Sequence, residues 1–175
     1  MTAFLLAGGL SQGALAETDR LDALYARLAE ATPETYTAIE EQIVEEWGKS
    51  GSPALDLLVR RGREALATGD SEAAVEHFTA LVDHAPEYFE GYAGRAQAYF
   101  QSGLFGPALD DLRQVLVLEP RHFGAMAGLG VMLESMGMEA DALDAYRAAS
   151  MVHPQEPNIA ASIERLEGSI DGVDI

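Results

Sequence analysis

The sequence predicts an all-α solenoid of three helix-turn-helix repeats, preceded by a helical hairpin and followed by a closing helix. Three observations predict it. Pro86, Pro120 and Pro154 recur at a spacing of 34 residues, and because proline disfavours helical geometry in the residue before it, each marks the end of one repeat. Gly69, Gly103 and Gly137 recur with the same period, at the place where a turn between two helices calls for a left-handed residue. Counting from Leu55, Phe89 and Phe123, the eighth position holds Gly62, Ala96 and Gly130 and the twentieth holds Ala74, Ala108 and Ala142. Such columns stay small where two helices approach closely.

Residues 1–16 carry no charged side chain, contain the apolar stretch Ala3 to Leu10 and end in Ala14-Leu15-Ala16 before the acidic Glu17. That pattern reads as a secretory signal with a small-residue cleavage site, and it places the mature chain in an exported compartment, periplasmic in a bacterium. Retention of these residues would instead leave the chain in the cytoplasm. No other segment is apolar enough to span a membrane.

Residues 17–52 follow as a helical hairpin. Leu21, Leu24, Tyr25 and Leu28 form one helical stripe, and after Thr32-Pro33 a second stripe runs through Tyr36, Ile39, Ile43 and Trp47. Carried back from Leu55, the repeat register puts Leu28 and Glu40 in the two columns that should be small. The hairpin therefore reads as an N-terminal cap or degenerate repeat. Ser52-Pro53 opens the first true repeat, and the repeats occupy 55–88, 89–122 and 123–156.

In each repeat the fourth position is large, as Leu58, Tyr92 and Met126, and the twenty-fourth is Phe78, Leu112 or Tyr146. These side chains fill the space between the two helices and their neighbours. Residues 157–168 read as an amphipathic closing helix with Ile159, Ile163 and Leu166 on one face, ended by Gly168. The acidic tail 169–175 reads as frayed.

The chain has 11 Lys and Arg against 29 Asp and Glu, a formal charge of −18. Such a surface repels phosphate, which argues against nucleic-acid binding. With no cysteine, disulfides, thiolate metal sites and a cysteine nucleophile are excluded.

On the small, glycine, aromatic and proline columns, residues 55–154 resemble three consecutive tetratricopeptide-repeat (TPR) motifs. The resemblance implies a right-handed superhelix whose first, or A, helices line a concave groove that binds another protein. A narrower resemblance rests on Trp47, Gly51-Ser52-Pro53, Leu57-Leu58 and Arg61-Gly62. It is to small secreted TPR proteins of alphaproteobacteria linked to maintenance of the cell envelope.

The TPR register assigns the groove-facing positions, spaced three, four and three apart so that they share one helix face. In the first repeat these include Val59, Arg63 and Leu66, in the second Ala93, Gln97 and Phe100, and in the third Ala127, Val131 and Glu134. TPRs that clamp a terminal carboxylate need several converging Lys, Arg and Asn donors, and only Arg63 remains of such a set. The groove is thus expected to take an apolar helix or extended segment of a partner, anchored by Phe100. Arg60, Arg61, Arg63 and Arg95 either pair with nearby acids or offer an anionic contact point. Self-association through the Trp47 hairpin is the alternative to an adaptor.

No catalytic, cofactor or metal site is expected. His77, His84, His122 and His153 make no helical i, i+4 pair. Adjacent acids such as Glu40-Glu41 and Asp110-Asp111 diverge around a helix and cannot share a proton. Gly8-Gly9 and Gly128-Leu129-Gly130 do not follow a strand, so neither is a phosphate loop.

Overall fold

The computed structural model describes residues 12–172. Among them the chain is helical throughout, in the order α1 (Gln12–Ala29), α2 (Tyr36–Trp47), α3 (Pro53–Thr68), α4 (Ser71–His84), α5 (Phe89–Gln101), α6 (Phe105–Leu118), α7 (Phe123–Ser135), α8 (Glu139–Val152) and α9 (Pro157–Gly172). The pairs α3–α4, α5–α6 and α7–α8 are the three repeats. No described helix is long and apolar enough to cross a membrane.

The turn glycines behave as their column requires. Gly69, Gly103 and Gly137 have φ of 77°, 73° and 74°, a region that costs a side chain about 1–2 kcal/mol. Each lets the chain reverse from an A helix into the second, or B, helix of the same repeat. Asp70 then caps α4 by accepting a hydrogen bond from the Ala73 N–H at 3.1 Å.

Packing runs from neighbour to neighbour, as a solenoid must. Val59, Leu66, Ala74 and Phe78 of the first repeat share a core with Ala98 of α5. Leu109, Leu112 and Val115 of α6 share one with Ala125 and Met132 of α7. Leu143 and Tyr146 of α8 share one with Ile159 and Leu166 of α9, so α9 closes the apolar end of the third repeat. The closing helix runs past Gly168, contrary to the sequence expectation. Ile170 packs onto the same core and Ser169 Oγ donates to Glu139 at 3.0 Å, and these contacts hold the extra turn that glycine alone would weaken.

The N-terminal hairpin also departs from expectation. All eight residues of its two stripes enter one cluster, but the described residues that join it from outside the hairpin are Phe89, Phe123 and Val152, from repeats two and three, and none comes from α3. The hairpin lies across the inter-repeat loops instead of stacking ahead of the first repeat. Trp47 fixes it there, stacked on His122 with ring centroids 3.9 Å apart and tilted against Phe123 at 4.9 Å. Its indole N–H donates to Tyr25 Oη at 3.1 Å. Tyr36 meets the edge of the buried His153 at 5.4 Å, and Arg121 lies over the Tyr25 ring at 4.1 Å while pairing with Asp22. Leu28, in a column that a true repeat keeps small, is fully buried in the hairpin's own core, and Glu40 lines a cavity beside α7.

Candidate functional site

The A helices α5 and α7 face each other across an open cleft, because the residues that line it are small. Ala93 and Gln97 of α5 and Gly124 and Gly128 of α7 leave a cavity of about 310 Å³, walled by Phe100, Leu112, Val131 and Met132. Phe100 is held by an edge contact with Phe105, ring centroids 5.7 Å apart. Val131 stands 43% exposed, so the apolar lining of the cavity continues to the surface.

A second cavity of about 290 Å³ adjoins the first and shares Gly124 and Val131 with it. Its character is different. Glu40 of the hairpin, Glu156, Asn158 and Ser162 supply polar groups beside Ala127, Phe123 and Tyr146. The hairpin thus contributes directly to the groove.

Two ion pairs flank the cleft. Arg63 Nη2 meets Glu90 Oε2 at 2.6 Å, and Glu90 Oε1 lies 3.9 Å from His122 Nε2. Burial pushes the Glu90 carboxyl up, but the His122 imidazole and the Arg63 guanidinium outweigh it and hold it below its ordinary range. On the far side Arg165 meets Glu134 at 2.8 Å, and that guanidinium lowers the Glu134 carboxyl.

Of the residues the register assigned to the groove, Ala93, Gln97, Phe100, Ala127 and Val131 line these two cavities. Arg63 and Glu134 stand at the flanks, each occupied by its ion pair. Val59 and Leu66 do not line the groove: they are buried in the core with Phe78 and Ala98, because α5 packs over the face of α3 that carries them. Arg63 and Arg95 serve separate ion pairs, with Glu90 and Asp111. Arg95 turns to α6, where Nε and Nη2 grip both oxygens of the buried Asp111 at 2.7 and 2.8 Å, and it serves the fold of the second repeat.

His122, Glu40 and Glu156 escape a reading based on repeat positions. His122 caps α7 by accepting the Ala125 N–H on Nδ1 at 3.0 Å, and a polar residue just ahead of an A helix is the only signal it leaves. Glu40 joins the groove through the hairpin's placement, which no column encodes. Among the described residues no group of three or more His, Asp or Glu converges as a metal site would require.

Stacked helix pairs with a cleft between successive A helices define a helical-repeat scaffold. The chain belongs to the tetratricopeptide-repeat family, whose model matches residues 59–109 and 94–152. It is 29% identical over 154 residues to a TPR repeat-containing protein of Rhizobium etli, covering 87% of this chain and 76% of that one. It is 30% identical over 116 residues to the small glutamine-rich tetratricopeptide repeat-containing protein 2 of Mycosarcoma maydis, 64% of this chain but 33% of that one. Among solved structures, the Sgt2 TPR domain from Aspergillus fumigatus superposes with a TM-score of 0.66 at 23% identity, covering 70% of this chain and 83% of that domain. The first TPR of Spaghetti (RPAP3), bound to the HSP90 peptide SRMEEVD, gives 0.64 at 18% identity over 67% and 93%. The Yersinia enterocolitica secretion chaperone SycD, in complex with a peptide of the translocator YopD, gives 0.63 at 16% over 66% and 94%. These structural likenesses show the shared TPR solenoid fold.

Proposed function

We propose that the chain is a non-catalytic adaptor that holds a segment of a partner protein in the cleft between α5 and α7. The observation that carries this reading is the open apolar cavity walled by Phe100 and the exposed Val131. Val131 carries the cavity's apolar lining out to the surface, and a continuous apolar groove open to solvent is where a partner's apolar side chains dock. The peptide complexes of the RPAP3 repeat and of SycD support the use of this fold for such a purpose. Among the described residues no lysine or arginine lines either cavity, which disfavours a carboxylate clamp.

The test fills the cavity without adding charge. A Cβ on Gly128 meets Leu112 only at ordinary contact distance, 3.7 Å, so a side chain can start there without a clash, and Gly128→Leu is expected to occupy the cleft that Gly128 lines. Partners captured by the native protein and lost with Gly128→Leu, while helical content and melting temperature hold, support the groove. An unchanged set of partners contradicts it.

For location the proposal is export, followed by work on the cell envelope. Support comes from the uncharged apolar start and from the narrow sequence resemblance. Helix α1 runs through the Ala16–Glu17 junction. Mass spectrometry of the native protein decides: an N-terminus at Glu17 supports export, and an intact Met1 contradicts it.

A further inference from the structure

Resting on the groove reading, we propose that the bound segment is apolar with a lysine or arginine beside its large side chains, and that Glu40 and Glu156 receive that cation. The two adjoining cavities divide the work. The first offers Phe100, Leu112, Val131 and Met132 to a large apolar side chain. The second, sharing Val131, offers two carboxylates, and neither cavity is lined by Lys or Arg among the described residues.

A count of charges around the cleft shows what is left over. Arg63 cancels Glu90, and Arg165 cancels Glu134. Glu156 accepts from the Ile159 N–H at 2.7 Å and from Asn158 Nδ2 at 2.9 Å, both neutral donors, so its charge stays uncompensated by a cation. Glu40 lies 3.4 Å from His153 Nε2, a neighbour that carries charge only when protonated, and no Lys or Arg pairs with Glu40 among the described residues. Two carboxylates therefore stand on the wall of a partly dehydrated cleft. A cationic side chain gains more from such a wall than from open surface, since charge-assisted hydrogen bonds strengthen as water is excluded. An acidic segment would meet like charge there, on a protein whose formal charge is already −18. The HSP90 peptide held by the RPAP3 repeat, SRMEEVD, ends in acidic residues, so the preference proposed here is the opposite one. Because Glu40 belongs to α2, the hairpin builds half of the cation's seat.

The test uses the full chain and two pools of synthetic peptides. Both pools carry a central run of large aliphatic and aromatic residues; one is flanked by Lys and Arg, the other by Asp and Glu. In fluorescence anisotropy the basic pool should bind about tenfold tighter, the worth of one charge-assisted hydrogen bond, and added salt should shrink the difference. Glu40→Gln together with Glu156→Gln should abolish the preference, with an acceptor kept for the Ile159 N–H. Equal binding, tighter binding of the acidic pool, or a preference that survives the double substitution overturns the charge proposal and leaves the groove reading standing. Binding by the basic pool that ignores both Gly128→Leu and Val131→Ala overturns the groove reading itself. No saturable binding by either pool overturns both.

Discussion

A Cβ placed on Gly62 would lie 2.6 Å from Cζ of Phe78, so the ring from α4 occupies the space that the glycine of α3 leaves open. The third repeat has the same lock, where a Cβ on Gly130 would lie 2.8 Å from Cζ of Tyr146. In the second repeat the aromatic is replaced by Leu112, and there the small position is an alanine, Ala96, fully buried in the core that Leu112 shares. The eighth and twenty-fourth columns are thus one feature, a volume divided between two side chains.

Gly62→Ala is expected to destabilise the protein. Alanine gains about 1 kcal/mol over glycine in a helix interior, but overpacking a filled core costs about 1–3 kcal/mol, and a Cβ in contact with a buried ring falls at the upper end. In a Phe78→Leu background the clash is gone, and the same substitution should become neutral or stabilising. Urea denaturation of the four proteins in a double-mutant cycle reads the coupling; additive effects would show that the columns are independent.

Trp47→Ala should release the hairpin and leave the repeats folded. Removing a buried tryptophan costs about 3–5 kcal/mol, and here it removes the stack on His122 and the bond to Tyr25 together. Since a solenoid is stabilised by nearest neighbours, the loss should stay local. Hydrogen exchange should show α1 and α2 losing protection while α6 and α8 keep theirs. Uniform loss across all helices would mean that the hairpin is an integral part of the stack.

Glu90→Gln should lower stability at neutral pH, with the difference shrinking in acid. The Glu90 carboxyl titrates below its ordinary value of 4.5, despite its burial, because His122 and Arg63 favour the charged form. A depressed folded-state value contributes stability that is present above the unfolded value and is lost as pH falls through the folded one. The native and substituted proteins should therefore converge as pH falls below about 4.5. Urea midpoints across that range provide the check, and a constant gap would contradict the assignment.

The repeats were legible because their cause is steric and local. A left-handed turn at Gly103 and a ring against Gly62 each restrict one position to one kind of residue, and the restriction returns every repeat. The hairpin's core was legible for a related reason, since Leu24, Ile43 and Trp47 form helical stripes that turn out buried. Where the hairpin docks was not, because Phe123, His122 and His153 sit beside the loops and Phe123 fills an ordinary repeat position. The groove was half legible. Register puts Gln97 and Val131 on one face, and both line the cavity between α5 and α7, but register alone cannot report that Val59 and Leu66 are buried in the core of the first repeat, or that Glu40 arrives from outside the repeats.

The central claim is that partners are held between α5 and α7. It is tested most directly by a photoreactive amino acid placed in living cells at Gln97 or Val131 in the cleft, and at Val117 or Met151, which are 71% and 84% exposed on B helices. The account predicts covalent adducts with a partner from Gln97 and Val131 and none from Val117 or Met151. Adducts from Val117 or Met151 alone, with the cleft positions silent, would contradict it.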